Sequence, residues 1–450
     1  MEIKVIGESQ PELRSDMTNI DLNDMKPEFE DTDSLAEIYS KINNGYHNGN
    51  FDLFFENFEL LVSVAQEYVI CYSKEFSSYE IEIILINLLQ DENVDAFIKK
   101  SALKIIFYLI KPDEYKFKDI FLENDLIQIL HTYIAEINAK LLKWSLKILM
   151  IYADYSERTA ETIKNEIEFD ILKNLIIDQN TKREVIVQTV RLIYSLMKYI
   201  TNEDDLKIII ELSAFISRFD NDNISTWGLW ILCMSCKSEI LAEQIIQIEN
   251  LPKIITKFIS SSNPAVIEPA LTLIEQIHTY IDSPIPNFEY KILLEFLDPT
   301  CEERRFAEHV AAIFANIMTD PEATAYFVNE GFMIFFFEAF ETGSFQTRKN
   351  IIDYVFNCIQ TVPSSLAEKI IDDGVCDVII SALEMPDSEI LAKVLSCIIT
   401  LLKLQSFASQ FDEKVNAELF DTVIDDESDH VQQLYSEFIE LYPKYKIDDN

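Results

Sequence analysis

Glycine is scarce in this chain, with seven among 450 residues, and proline is limited to thirteen. So few of each leave little material for the many tight turns of an all-β protein. No Gly-x-x-x-x-Gly-Lys-Ser/Thr, Gly-x-Gly-x-x-Gly or Gly-x-Ser-x-Gly run occurs. The commonest phosphate-cradling and hydrolase signatures are therefore missing. Basic residues are also few, 37 against 78 acidic ones, for a formal charge of −41. A body this acidic repels nucleic-acid backbones and anionic membranes, so neither is expected as a partner. No apolar run reaches the roughly 18–20 residues that a bilayer requires. The richest, Phe332–Phe337, is cut off by Glu338. The opening MEIKVIGESQPEL lacks the basic start and apolar stretch of a secretory signal. A soluble, cytoplasmic protein is expected.

Cysteine is present but unorganised. The seven residues Cys71, Cys233, Cys236, Cys301, Cys358, Cys376 and Cys397 show no framework spacing and cannot all pair. Cys233 and Cys236 have the separation of a metal or redox pair, but no second pair or nearby His accompanies them. They are read as small core hydrophobes. The five His are far apart, and no His-Glu-x-x-His arrangement exists. No cofactor or metal is expected, and the chain is read as a non-enzyme.

What is abundant is helix. Leu, Ile, Glu and Lys dominate a composition that is 48% hydrophobic, as stacked helices require. Two stretches share one pattern: AAIFANIMTDPEATAYFVNEGFMIFFFEAF (Ala311–Phe340) and DYVFNCIQTVPSSLAEKIIDDGVCDVIISAL (Asp353–Leu383). Each reads as an apolar helix ending near an Asn, a polar break, a short helix, and an acidic-Gly turn into another helix. Asn316 and Asn357 are 41 residues apart, and Gly331 and Gly374 are 43 apart. The late-helix position extends back through Gln276, Ile231, Ser195, Met150 and Tyr108, and forward to Thr400. The turn position recurs at Asp125, Glu168 and Asn250, residues suited to a left-handed backbone except for Glu168. An all-helical period in the low forties predicts an all-α, armadillo/HEAT-like right-handed α-solenoid of about eight to nine three-helix repeats. Residues 1–34, with ten acids and three basic residues, read as a disordered tail. Residues 35–450 read as the repeat body, with capping units near 35–95 and 405–450. Ser34 is expected to cap the first helix, and Asn44–Asn50 to form a turn. From Phe51 onward, helices of about 10–18 residues are expected.

The phrases ANIMTDPEATAYFVNEGFMIFFFEAF and FNCIQTVPSSLAEKIIDDGVCDVIISAL resemble armadillo repeats, most closely those of the importin-α family. That resemblance implies a concave groove lined by third helices, where Trp-x-x-x-Asn pairs grip an extended basic nuclear-localisation peptide. It also implies a β-type transport receptor as second partner, and shuttling to the nucleus. The chain departs from the family pattern in the pairing. Ala312 and Asp353 stand four residues before Asn316 and Asn357, and Ile231 stands four after Trp227. The Lys/Arg-rich N-terminal arm of the family has no counterpart in residues 1–34.

The groove candidates are accordingly Trp227, Asn316, Asn357 and Gln276, with the carboxylates Asp154, Asp320 and Asp353 for basic side chains. Each has a bland reading: packing for Trp227, backbone bonding for the Asn residues, and helix capping or solvation for the acids. The expected function is a non-catalytic adaptor for an extended, basic partner segment. The alternative is an armadillo scaffold or regulatory subunit without a transport role.

Overall fold

The computed structural model describes residues 26–112, 115–219, 221–301, 303–415 and 417–445. Among these the secondary structure is helical, with no β-strand; a lone bridge joins Glu28 to Val69. The fold is all-α. The chain divides into two compact units, residues 1–205 and 206–450.

In the first unit, four long helices follow one another in space: Phe51–Glu67, Ala96–Ile110, Leu142–Tyr155 and Arg183–Leu196. Shorter helices, such as Glu157–Glu166 and Phe169–Ile177, fill the connections. In the second unit six long helices form a comparable succession, starting with Asp222–Ser235 and Pro264–Tyr280. Ala307–Ile317, Phe345–Thr361, Ser388–Leu401 and Asp429–Leu441 complete it. Neighbouring long helices run parallel. Asn350 Nδ2 donates to Glu308 O at 3.0 Å, and Asn357 Nδ2 donates to Ala315 O at 2.8 Å. Both pairs are 42 residues apart, so one end of each helix meets the matching end of its neighbour.

The turns into the second short helix follow the expected spacing. Asp125, Asn250, Gly331 and Gly374 take φ of 55°, 65°, 77° and 108°. Glu168, the chemical exception, is extended instead, with φ −66°. Glu80 (φ 55°) makes an equivalent turn before Ile81–Gln90, which the sequence pattern had not marked.

Three local expectations change. The first helix starts at Thr32, capped by Asp31, whose carboxylate accepts from the Ser34 N–H at 3.0 Å. Asp31 and Ser34 are both good caps, and the earlier one adds a turn. That helix also continues through His47, so the turn shrinks to Asn48–Asn50. Among the described residues of 281–306 the helical segments are 3₁₀, Tyr290–Leu297 and Arg304–Phe306, where α-helix was expected. Pro284, Pro286 and Asn287 (φ 61°) interrupt the backbone ladder that an α-helix would need.

Most of the proposed 1–34 tail lies outside the described residues. Its last part packs on the body: Phe29 N donates to Val69 O and Val69 N to Pro27 O, at 3.0 and 3.1 Å. The Lys26 ammonium meets the Gln66 carbonyl and lies 4.2 Å over the Tyr108 ring.

The core of the second unit is aromatic. Phe314, fully buried, has its ring 5.1–6.4 Å from Tyr290, Phe327, Phe332, Phe336 and Tyr354. Where the chain after Ile216 meets Asp222–Ser235, contact is so close that only Gly fits. A Cβ on Gly228 would lie 2.8 Å from Ser217 N.

Candidate functional site

A long amphipathic helix packed on neighbours at both sides leaves one narrow stripe half exposed. On Ala96–Ile110 that stripe carries Ser101, Lys104 and Tyr108. Leu142–Tyr155 continues it with Lys143, Lys147 and Met150, and Arg183–Leu196 with Val187, Arg191 and Tyr194. In the second unit the stripe includes Trp230, Glu275, Gln276, His309, Asn316, Asp353 and Asn357. Six of the eight late-helix positions fall on the half-exposed stripe of their own unit. Ser195 and Ile231 do not, being buried one residue off register beside Tyr194 and Trp230.

Trp227, a groove candidate from the sequence, is therefore not on the half-exposed stripe. It is buried, and its Nε1 donates to Asn223 Oδ1 at 3.1 Å. Trp230 holds the half-exposed place, and its Nε1 has no acceptor among the described residues. Asn357 is committed to the Ala315 carbonyl, which lies in the last turn of its helix and lacks a partner there. Thr361 adds a second rung, donating to Met318 O at 3.1 Å. Asn316 and Gln276 are half-buried with side-chain amides that bond to nothing else among the described residues. They remain available to a ligand.

The acids separate in the same way. Asp320 caps Pro321–Asn329, accepting from Ala323 N at 2.8 Å. Asp154 is exposed and accepts from Ser195 Oγ at 3.2 Å, one helix along. Asp353 lies 2.5 Å from Lys393 Nζ, which also binds Glu389 at 2.7 Å. Lys349 joins this network at 2.9 Å from Glu389 and 3.4 Å from Asp387. Hydrogen bonds from Lys393 and Lys349 hold the Glu389 carboxyl down to about 2. Burial pushes Asp353 up, against the pull of Lys393. Glu389 and Lys393 of this network line a cavity of about 350 Å³, together with Phe356 and His430.

A second acidic group was not singled out from the sequence. Glu268, Glu275 and Glu308, on Pro264–Tyr280 and Ala307–Ile317, surround His309. His309 Nδ1 is 2.6 Å from Glu275 Oε2. Burial disfavours the charged imidazole, but Glu275, Glu268 and Glu308 outweigh it and raise its pKa. Desolvation raises the Glu268 carboxyl, which is 9% exposed and has no hydrogen-bond partner among the described residues. The spacing of Glu268 and Glu275, one heptad on one helix face, was the available signal.

Cys233 and Cys236 are buried; Cys233 Sγ meets Pro269 O at 3.3 Å, and desolvation pushes the Cys236 thiol up to about 12. Neither is a reactive thiolate near neutral pH. Among the described residues no group of three or more His, Cys, Asp or Glu could hold a metal ion. No helix there is long and apolar enough to cross a membrane.

No family model matches the chain, and no curated protein matches it. Solved structures do. The crystal structure of an engineered protein from the Northeast Structural Genomics Consortium superposes with a TM-score of 0.72 at 15% identity, covering 90% of this chain and 98% of its own. A second engineered protein from that consortium aligns over 54% of this chain, at 14% identity and a TM-score of 0.43. The first likeness shows a shared fold; it carries no function.

Proposed function

We propose that this protein is a non-catalytic binding scaffold built from armadillo-like repeats. The half-exposed stripe of its second unit receives an extended, basic segment of a partner. The observation carrying this reading is the group formed by Glu268, Glu275 and Glu308 beside the unengaged amides of Gln276 and Asn316. Partly desolvated carboxylates with one imidazole among them gain free energy when an ammonium arrives, because charge-assisted hydrogen bonds replace incomplete solvation. Free amides on the same stripe can bond a peptide backbone. The sharper form is an importin-α-like nuclear import adaptor that works with a β-type receptor, and it rests on the resemblance of Ala311–Leu383. The internal engagement of Trp227, Asn357 and Asp320 favours the second reading, a structural scaffold or regulatory subunit that does not grip localisation signals in the importin manner.

Titration calorimetry with a lysine-rich peptide tests the binding claim on the full chain. Micromolar or tighter affinity is expected, weakening with added salt. Glu275→Gln with Glu308→Gln should weaken it about tenfold or more, as expected for charge-assisted bonds of 1.5–3 kcal/mol. Asn357→Ala should leave affinity alone and lower the melting temperature, since its amide serves the fold. Equal affinity for wild type and the Gln pair removes the assignment.

A further inference from the structure

The first unit holds a surface of opposite charge. Around the starts of Ala96–Ile110, Leu142–Tyr155 and Arg183–Leu196 lies a cavity of about 520 Å³. Lys100, Lys104, Lys140, Lys143 and Lys182 line it, and Glu184 is the one carboxylate among the lining residues. Glu184 is already taken, 2.7 Å from Lys143 Nζ. Lys100, Lys140 and Lys182 have no ion-pair partner among the described residues. Five ammonium groups thus share one cleft in a chain whose formal charge is −41. Lys100 and Lys143 are 43 residues apart, as are Lys104 and Lys147, so the charge recurs with the repeat.

The cleft is not only basic. Trp144, 8% exposed, lines it, and the ammonium groups of Lys104 and Lys143 stand 5.9 and 6.0 Å from its ring. Phe97 at the rim is 63% exposed. Five like charges with a single carboxylate among them repel one another, and a bound anion relieves that repulsion. An exposed aromatic ring beside them offers an apolar contact to the same ligand.

We propose that this cleft binds a short acidic peptide segment of a partner protein. Its carboxylates pair with Lys100, Lys140 and Lys182, and one apolar or aromatic side chain lies against Phe97 and Trp144. Length decides the ligand class. At physiological ionic strength charges interact over about 8 Å, so a short segment experiences the local lysines. A long polyanion, such as duplex DNA or an anionic bilayer, extends over the acidic surroundings and is repelled. The site is separate from the acidic stripe of the second unit, so either binding activity can fail without the other.

The test is fluorescence anisotropy with the full chain and a labelled Glu/Asp-rich hexapeptide containing one Phe. Saturable binding is expected, weakening at least tenfold between 50 and 300 mM salt. Lys100→Gln with Lys140→Gln should weaken it at least tenfold, and the corresponding Arg pair should restore it. Lys403→Gln, an exposed lysine elsewhere, should change nothing. Circular dichroism and melting check that the exchanged surface lysines leave the fold intact. Three results overturn the proposal: the Gln pair binding like wild type, duplex DNA or phosphatidylserine vesicles binding more tightly than the peptide, or peptide binding that appears only after residues 1–25 are removed. The last would identify the chain's own acidic segment as the occupant.

Discussion

Replacing Phe314 with alanine will lower the stability of the second unit by about 3–5 kcal/mol, measured by denaturant or thermal unfolding. The magnitude follows from where the ring sits. It is fully buried and meets five other aromatic rings, mostly edge-on. Phe336 and Tyr354 stack beside it at 4.1 Å, and the Tyr354 hydroxyl donates to Met333 Sδ at 2.7 Å. Removing Phe314 therefore loses its own transfer free energy and also leaves a cavity whose walls are stiff rings. Edge-to-face pairs add about 0.5–1.5 kcal/mol each beyond buried area. Phe314→Leu, which retains most of the volume, should cost much less. A loss below about 1 kcal/mol for the alanine variant would mean that the cluster does not hold neighbouring helices together.

Acid will destabilise the same unit through His278, and a variant lacking this imidazole will lose less. His278 is 2% exposed and held at both nitrogens, with Ile281 O 2.9 Å from Nδ1 and Tyr290 Oη 2.7 Å from Nε2. Tyr290 Oη also accepts from Ile285 N at 2.8 Å, so its proton points to Nε2. The ring is therefore the neutral Nδ1–H tautomer. Burial lowers its pKa to about 4, with the Ile281 bond and the Asp282 charge opposing. An unfolded His binds its proton near pH 6.5, so the unfolded state gains protons first as pH falls. The contribution of the neutral ring is complete above about pH 6.5 and is lost progressively down to about 4. At 1.36 kcal/mol per pK unit the loss is about 3 kcal/mol. His278→Gln should be less stable at pH 7.5, with a smaller fall in melting temperature between pH 7.5 and 4.5. Parallel falls in the two proteins would show that other groups set the acid limit.

Some of the fold was legible because one residue type carries a local backbone requirement. Gly331, Gly374, Asn250 and Asp125 mark left-handed turns, and their spacing exposed the period. Glu80 makes the same turn without a tolerant side chain, since tertiary packing overrides local preference there. The half-exposed stripe was legible as a register, but not to the single residue. A one-position drift put Ser195 and Ile231 inside and left Tyr194 and Trp230 outside. Partners were the least legible. Asn357 reads like a ligand-binding amide until the Ala315 carbonyl, 42 residues back, is seen within bonding distance. The lysine cleft was hidden by the overall charge of −41, because a sum over 450 residues conceals five ammonium groups brought together from two helices and the turns before Leu142–Tyr155 and Arg183–Leu196.

The central claim is that the half-exposed stripe of the long helices is where an extended partner lies. Amide hydrogen exchange on the full chain, with and without a saturating lysine-rich peptide, tests it most directly. Slower exchange is predicted in Pro264–Tyr280, Ala307–Ile317 and Phe345–Thr361, with the short helices between them unchanged. Protection of those short helices alone, or no protection at saturation, contradicts it.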